Sequence, residues 1–160
     1  MLYTIEAALE SDVPAILAFI KELALFERAP LEVTVTEAML LEDGFGKNKI
    51  YDCWVARENG IVLGIALTYI KYSTWKGKCL FLEDIIVKES ERGRGIGKEL
   101  FKKIISISKE QNMGRMEWQV LDWNQTAIDF YNKFDAVLDP TWINCKFTYE
   151  QLQAIDFSKV

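Results

Sequence analysis

Histidine is absent from all 160 residues. Its absence removes the commonest general base and with it every Ser-His-Asp or Cys-His mechanism. Acid-base chemistry is left to carboxylates, tyrosine, lysine or water. Cysteine is scarce: Cys53, Cys79 and Cys145 are odd in number, far apart and without histidine partners. They suggest neither a disulfide framework nor a zinc site, no metal is expected, and the three read as buried thiols. Long apolar runs are also missing. The longest, residues 61–70, is interrupted by Gly64 and Thr68 and falls short of the roughly 20 residues a spanning helix needs, so no membrane span is expected. The first residues, Met1 to Glu6, lack the basic start and apolar run of a secretory signal and read as a strand, from which a cytoplasmic location is expected. Positive charge is in deficit, 19 Lys and Arg against 24 Asp and Glu for a net charge of −5. This argues against a general nucleic-acid binder, whose affinity comes largely from neutralising phosphates, and suits a cationic partner.

Half the residues are apolar and 27% are charged, a balance that supports one folded domain spanning residues 1–160. Tyr3 and Ile5 begin a short strand. Ser11 or Asp12 caps a helix with Ile16, Leu17, Ile20, Leu23 and Ala24 in one stripe. Thr36 caps a second helix through Leu41, stopped by the turn Asp43-Gly44-Phe45-Gly46. From Tyr51 to Val87 three strands form an antiparallel meander, divided at Glu58-Asn59-Gly60 and at Ser73 to Gly77. A glycine-rich turn, a helix with Ile96, Leu100, Phe101, Ile104 and Ile105 on one face, a strand over 116–121 and a helix over 124–134 follow, implying a parallel crossover. Residues 142–148 supply a last strand or two. The fold class is mixed α/β (α+β) around one central sheet.

The sharpest local feature is Arg92-Gly93-Arg94-Gly95-Ile96-Gly97, directly after an apolar strand and opening an amphipathic helix. Glycines admit close backbone approach, and successive N–H groups at a helix start, aided by the helix dipole and two arginines, can cradle a pyrophosphate. A plain tight turn is the competing reading. The lysine followed by Ser or Thr that closes a Walker loop is missing, and a dinucleotide fingerprint would follow an early β-α-β unit rather than a meander.

On these residues the chain resembles the GNAT acetyltransferase superfamily, whose acetyl-CoA motif is met by Arg92, Gly95 and Gly97. Leu82-Glu83-Asp84, Asp43-Gly44-Phe45-Gly46, Tyr72 to Gly77 and Leu121-Asp122-Trp123-Asn124-Gln125 narrow the resemblance to the diamine (spermidine/spermine) acetyltransferases, especially their thialysine branch. The resemblance implies a mixed, mostly antiparallel sheet flanked by helices, with acetyl-CoA at a splayed strand pair and a homodimeric assembly. It implies acetyl transfer to a small cationic amine. Ile85, Ile86 and Val87 would meet the pantetheine arm through backbone groups. Arg92, Gly93, Arg94, Gly95, Ile96, Gly97 and Lys98 would hold the pyrophosphate, and Asn124, Gln125, Thr126 and Ala127 would complete the cofactor site together with Tyr131.

A lysine-like ammonium with pKa near 10.4 is neutral in about one molecule in 2,500 at pH 7, a cost of about 4–5 kcal/mol, so a base is wanted. Glu83 and Asp84 interrupt an apolar strand, where an unpaired carboxylate is costly. Adjacent strand residues face opposite sides, so one is expected in the substrate cleft and the other in a hydrogen-bond network or salt bridge. A structural ion pair is the alternative for either. The resemblance favours Glu83 at the amine, as base or cation binder, and Tyr131 as the acid that protonates the departing thiolate. Packing in the core is the other reading of Tyr131. Glu27, Trp75, Glu117, Trp118 and Gln119 are the remaining substrate-binding candidates. Two departures from the polyamine branch stand out. Ser73 replaces an acidic residue, favouring a thialysine-like amine over polyamines, and Asp135 replaces a glycine. A protein or peptide acetyltransferase and a noncatalytic CoA-binding module are the competing functions.

Overall fold

The computed structural model describes residues 2–159. The chain forms two compact units, one up to Gln119 and one from Val120 onward.

The first unit is built on a five-stranded sheet in the order β1 (Thr4–Ala7), β2 (Asp52–Glu58), β3 (Ile61–Ser73), β4 (Gly77–Val87) and β5 (Arg115–Trp118). The first four strands pair antiparallel, and β4 and β5 pair parallel, as the meander followed by a crossover requires. The sheet is therefore mixed and mostly antiparallel, as expected. The α-helices among its described residues are α1 (Val13–Phe26), α2 (Glu37–Phe45) and α3 (Ile96–Glu110).

Strand alternation sends two sets of side chains to opposite faces. Cys53, Val55, Ile65, Leu67 and Ile86 join Val13, Ile16, Leu17 and Phe19 of α1 and Leu40 of α2 in one core. Ala56, Ala66, Leu80 and Leu82 are buried on the other face, where α3 crosses β2, β3 and β4. The apolar stripe of α3 is the expected one, with Ile96, Leu100, Phe101 and Ile104 fully buried, each contributing about 1.5–3 kcal/mol relative to exposure. Ile107 replaces Ile105 as its last buried position.

The helix starts differ in detail from expectation. Thr36 caps α2 by accepting from the Met39 N–H at 3.2 Å. Asp12 stands at the start of α1 but makes no side-chain cap bond. Its carboxylate accepts from the Leu9 N–H at 2.8 Å and from the Arg57 guanidinium at 2.7 and 3.0 Å, tying the helix start to β2. Helix α2 also runs past the expected stop at Asp43-Gly44 and ends at Phe45. Gly44 is buried in it, and a Cβ there would collide with the Tyr51 ring, whose hydroxyl donates to the Leu40 carbonyl at 2.6 Å. That glycine serves close packing, not chain reversal.

The second unit holds α4 (Gln125–Asn132) and α5 (Tyr149–Ala154). The last strand expected over 142–148 does not form. The segment has no strand partner among the described residues, and a strand without one leaves its backbone groups unpaired. Thr148 instead caps α5 by accepting from the Gln151 N–H at 3.2 Å. Cys145, expected to be buried, is consequently exposed, whereas Cys53 and Cys79 are buried. Asp135 adopts φ 55°, the left-handed conformation in which Asp is among the better tolerated non-glycine residues. No described helix is long and apolar enough to cross a membrane.

Candidate active site

The strand that carries the predicted carboxylates is irregular where they sit. Along β3 and β4, Leu67 pairs with Asp84 and Thr68 with Leu82, so Glu83 is an extra residue with no partner position. This is a β-bulge, and it corrects the expectation that Glu83 and Asp84 point to opposite faces, because a bulge breaks the two-residue alternation. Leu67 and Tyr69 both belong to the face covered by α1 and α2. Asp84 lies opposite Leu67, and Glu83 lies close enough to Tyr69 for its charge to raise the phenol. Both carboxylates therefore turn to the α1 face.

Glu27, the C-cap residue of α1, completes a group of three acids. Asp84 is half-buried, and burial, with Glu83 and Glu27 adding to it, pushes its carboxyl up to about 6. Burial also raises Glu27. Burial and then the Glu83 charge raise the Tyr69 phenol. With Glu83 favoured at the amine, sequence reasoning left Asp84 to a hydrogen-bond network or salt bridge, and among the described residues Asp84 makes no ion pair. The signal the sequence lacked was the bulge, which appears only when β3 and β4 are paired.

Past the same point β4 loses its neighbour on one side. Its pairing with β5 ends at Leu82 and Trp118, while its pairing with β3 continues to Val87. Among the described residues of this unit, the β5-facing side of residues 83–87 thus has no strand partner, leaving main-chain groups for an extended ligand to pair with. This is the splayed strand pair that was expected. After β4, Gly93 and Gly95 take φ of 82° and 84°, and Gly95 is the N-cap of the 15-residue α3. A Cβ on Gly93 would meet nothing within 4 Å, and one on Gly95 only the Tyr3 hydroxyl at 3.8 Å. The left-handed turns, not crowding, require glycine here. The first amides of α3 are those a helix start leaves without intrahelical partners, and they follow an uncrowded loop, an arrangement that could hold the pyrophosphate of a CoA-type ligand.

The arginines of the loop are already engaged. Arg94 is held by Glu91 and, at 2.7 Å, by Glu58 of β2. Arg92 Nε donates to the Val87 carbonyl at 3.2 Å, and its guanidinium lies 3.9 Å from Glu22. Both arginines are thus paired within the protein, and the donors left for an anion are backbone groups and the exposed Lys98 in the first turn of α3.

The substrate-binding candidates scatter more widely. Glu117 sits on β5, where Lys71 at 2.8 Å and Arg115 at 2.5 Å hold its carboxylate. Trp118 packs edge-to-face on Phe101 of α3, centroids 5.3 Å apart, so it serves the face away from the acids. Gln119 follows the end of β5. Trp75 is 76% exposed at the β3–β4 hairpin. Ser73 closes that hairpin by accepting from the Trp75 and Lys76 N–H groups, each at 3.2 Å, a turn-forming use of the hydroxyl.

In the second unit, Asn124 caps α4 by accepting from the Ala127 N–H at 3.2 Å, and Gln125 donates to Asp129 at 2.7 Å. Thr126 and Ala127 occupy the first turn. Tyr131 is buried with its ring edge-on to Phe130 at 5.3 Å.

Comparison with known proteins agrees with this geometry. The Acetyltransferase (GNAT) family matches residues 18–136. A thialysine N-epsilon-acetyltransferase from Bos taurus is 39% identical over 140 residues, covering 82% of each chain. The human spermidine/spermine N(1)-acetyltransferase-like protein 1 is 34% identical over 94% of this chain and 23% of its own. Among solved structures, an integron cassette protein from the mobile metagenome of V. cholerae superposes with a TM-score of 0.77 at 24% identity, covering 96% of both chains. The open β4 edge, the left-handed glycine loop and these matches lead to one conclusion: the chain belongs to the GNAT acetyltransferase family and is an acetyltransferase.

Proposed function

We propose that the protein transfers an acetyl group from acetyl-CoA to the primary amine of a small diamine-like or lysine-like substrate, with thialysine favoured over polyamines. The observation that carries this reading is the bulge that turns Glu83 and Asp84 to one face beside Glu27, an anionic patch suited to an ammonium ion. Two further observations support a short amine. Ser73, bound into its hairpin turn, adds no charge for the far end of a long polycation. The Bos taurus relative bears the name of a thialysine enzyme.

Acetyl-CoA would lie along the open side of 85–87 with its pyrophosphate on the amides of 93–98, and it supplies a thioester carbonyl for direct attack by the neutral amine. Glu83 binds the ammonium or accepts its proton. Tyr131 donates a proton to the departing sulfur, whose conjugate acid lies near pKa 8.5 against about 10 for a phenol, so positioning supplies much of the benefit.

The test is an assay of purified protein with acetyl-CoA against thialysine, lysine, putrescine, spermidine, spermine and a short peptide, with products identified by mass. Turnover of thialysine or another short amine is expected. Preference for spermine would overturn the Ser73 reasoning, and acetylation of the peptide alone would move the activity to proteins. Tyr131→Phe is expected to lower kcat about 10²-fold or more, and unchanged turnover would remove Tyr131 from the acid role.

A further inference from the structure

We propose that the β4 bulge divides the work of two neighbouring carboxylates, Asp84 taking the proton from the substrate ammonium while Glu83 holds the cation. The division rests on the amine-acetylating reading above and reassigns the proton acceptor within it.

Two acids on adjacent residues and on one face do not both ionise at ordinary cost, since like charges at close range disfavour each other. Their surroundings decide which one takes up a proton. Glu83 is exposed to solvent and lies near the Tyr69 hydroxyl, whose phenol its charge helps to raise. Water at an exposed site stabilises a carboxylate anion. Asp84 is half-buried, opposite Leu67, and Leu67 in turn pairs with the buried Cys53. It makes no ion pair among the described residues, and the charges it meets are Glu83 on its own strand and Glu27 from the end of α1. Of the other ionisable groups on this face, burial pushes the Cys53 thiol up to about 12 and raises the Tyr69 phenol, while the Asp12 carboxylate is held by Arg57 at 2.7 Å and the Lys71 ammonium by Glu117 at 2.8 Å. The geometry therefore makes Asp84 the acid that gains most by accepting a proton.

The gain is useful to the reaction. A proton acceptor works best when its pKa lies near the working pH. Relative to an ordinary aspartate near 3.8, a carboxyl at about 6 shifts proton transfer from an ammonium in favour of the neutral amine by about two powers of ten. In the step itself one proton passes from the substrate nitrogen to an Asp84 oxygen. The bonding pair stays on nitrogen as the lone pair that attacks, and Asp84 afterwards releases the proton to water.

The test is the pH dependence, from 5 to 10, of kcat and kcat/KM for a short amine in the wild type, Asp84→Asn and Glu83→Gln. Asp84→Asn is expected to lose about 100-fold in kcat/KM at pH 7 and to recover as pH approaches the amine's own pKa, where solvent supplies the neutral amine. That recovery also shows that the variant is folded. Glu83→Gln is expected to raise KM and to keep the wild-type fall in rate below about pH 6. The division is overturned if Asp84→Asn keeps the wild-type profile, if it melts normally but stays inactive at pH 9 to 10, or if Glu83→Gln is the variant with alkaline recovery. A wild type that acetylates no amine overturns the amine reading and this division with it, whereas the other adverse outcomes overturn the division alone.

Discussion

Replacing Asp84 with asparagine is expected to make the protein more stable near neutral pH while harming its activity. Burial and two neighbouring carboxylates push the Asp84 carboxyl up from 3.8 to about 6 in the folded chain. Between these values the folded state binds more protons than the unfolded state, so unfolding free energy falls as pH rises, and above about 6 the whole cost is present. A shift of about two units corresponds to about 3 kcal/mol, at 1.36 kcal/mol per unit. Asparagine removes the charge at nearly the same volume and relieves that cost at pH 7.5, but at pH 4, where Asp84 is protonated, it relieves almost nothing. For a chain of this length about 3 kcal/mol corresponds to a rise of roughly 6–12 °C in melting temperature. Circular dichroism melts of both proteins at pH 4 and 7.5 provide the assay. A variant advantage of the same size at both pH values, or a variant less stable at pH 7.5, would refute the reasoning that an ionised Asp84 is held against its preference. Stability given up at a working residue is a common trade in enzymes.

Two further outcomes are expected. Asp12→Ala should cost about 1.5–3 kcal/mol by removing the charged hydrogen bonds of the half-buried Arg57, which keeps Glu6 as a partner. Burial alone would raise the Asp12 carboxyl, but the Arg57 and Leu9 hydrogen bonds outweigh it and hold it below 3.8. Its contribution is therefore present above about pH 4 and lost as pH falls further, which urea denaturation at pH 7 and pH 3 would show. Gly95→Ala forces a side chain into φ 84°, at a strain of about 1–2 kcal/mol. If the loop relaxes to relieve that strain, CoA binds about fivefold or more weakly by calorimetry; an unchanged Kd would separate the left-handed turn from pyrophosphate binding.

Local rules reach a good part of this protein. The β-branched and aromatic runs of the meander, the Thr36 cap and the stripe of α3 depend on neighbours within a few residues. The glycines of 92–97 are legible for the same reason: a positive φ is a property of one residue and its backbone. Acids within an apolar strand announce themselves by their cost, so Glu83 and Asp84 stand out by residue type alone.

What those acids do depended on pairing. The bulge exists only in the alignment of β4 against β3, and no residue in Leu82-Glu83-Asp84 signals it. A single unpartnered position changes which face a side chain occupies, and with it which acid is solvated and which is confined. The same dependence on distant partners explains α2, which runs through Gly44 because Tyr51 packs on it, and 142–148, whose strand-like composition forms no strand without a neighbour. Sequence by itself determined the family, the order of elements and the chemistry available, because these follow from residue type and short spacing. Tertiary structure alone decided that Glu83 and Asp84 share a face with Glu27, because register and burial are properties of strands and helices brought together from far apart in the chain.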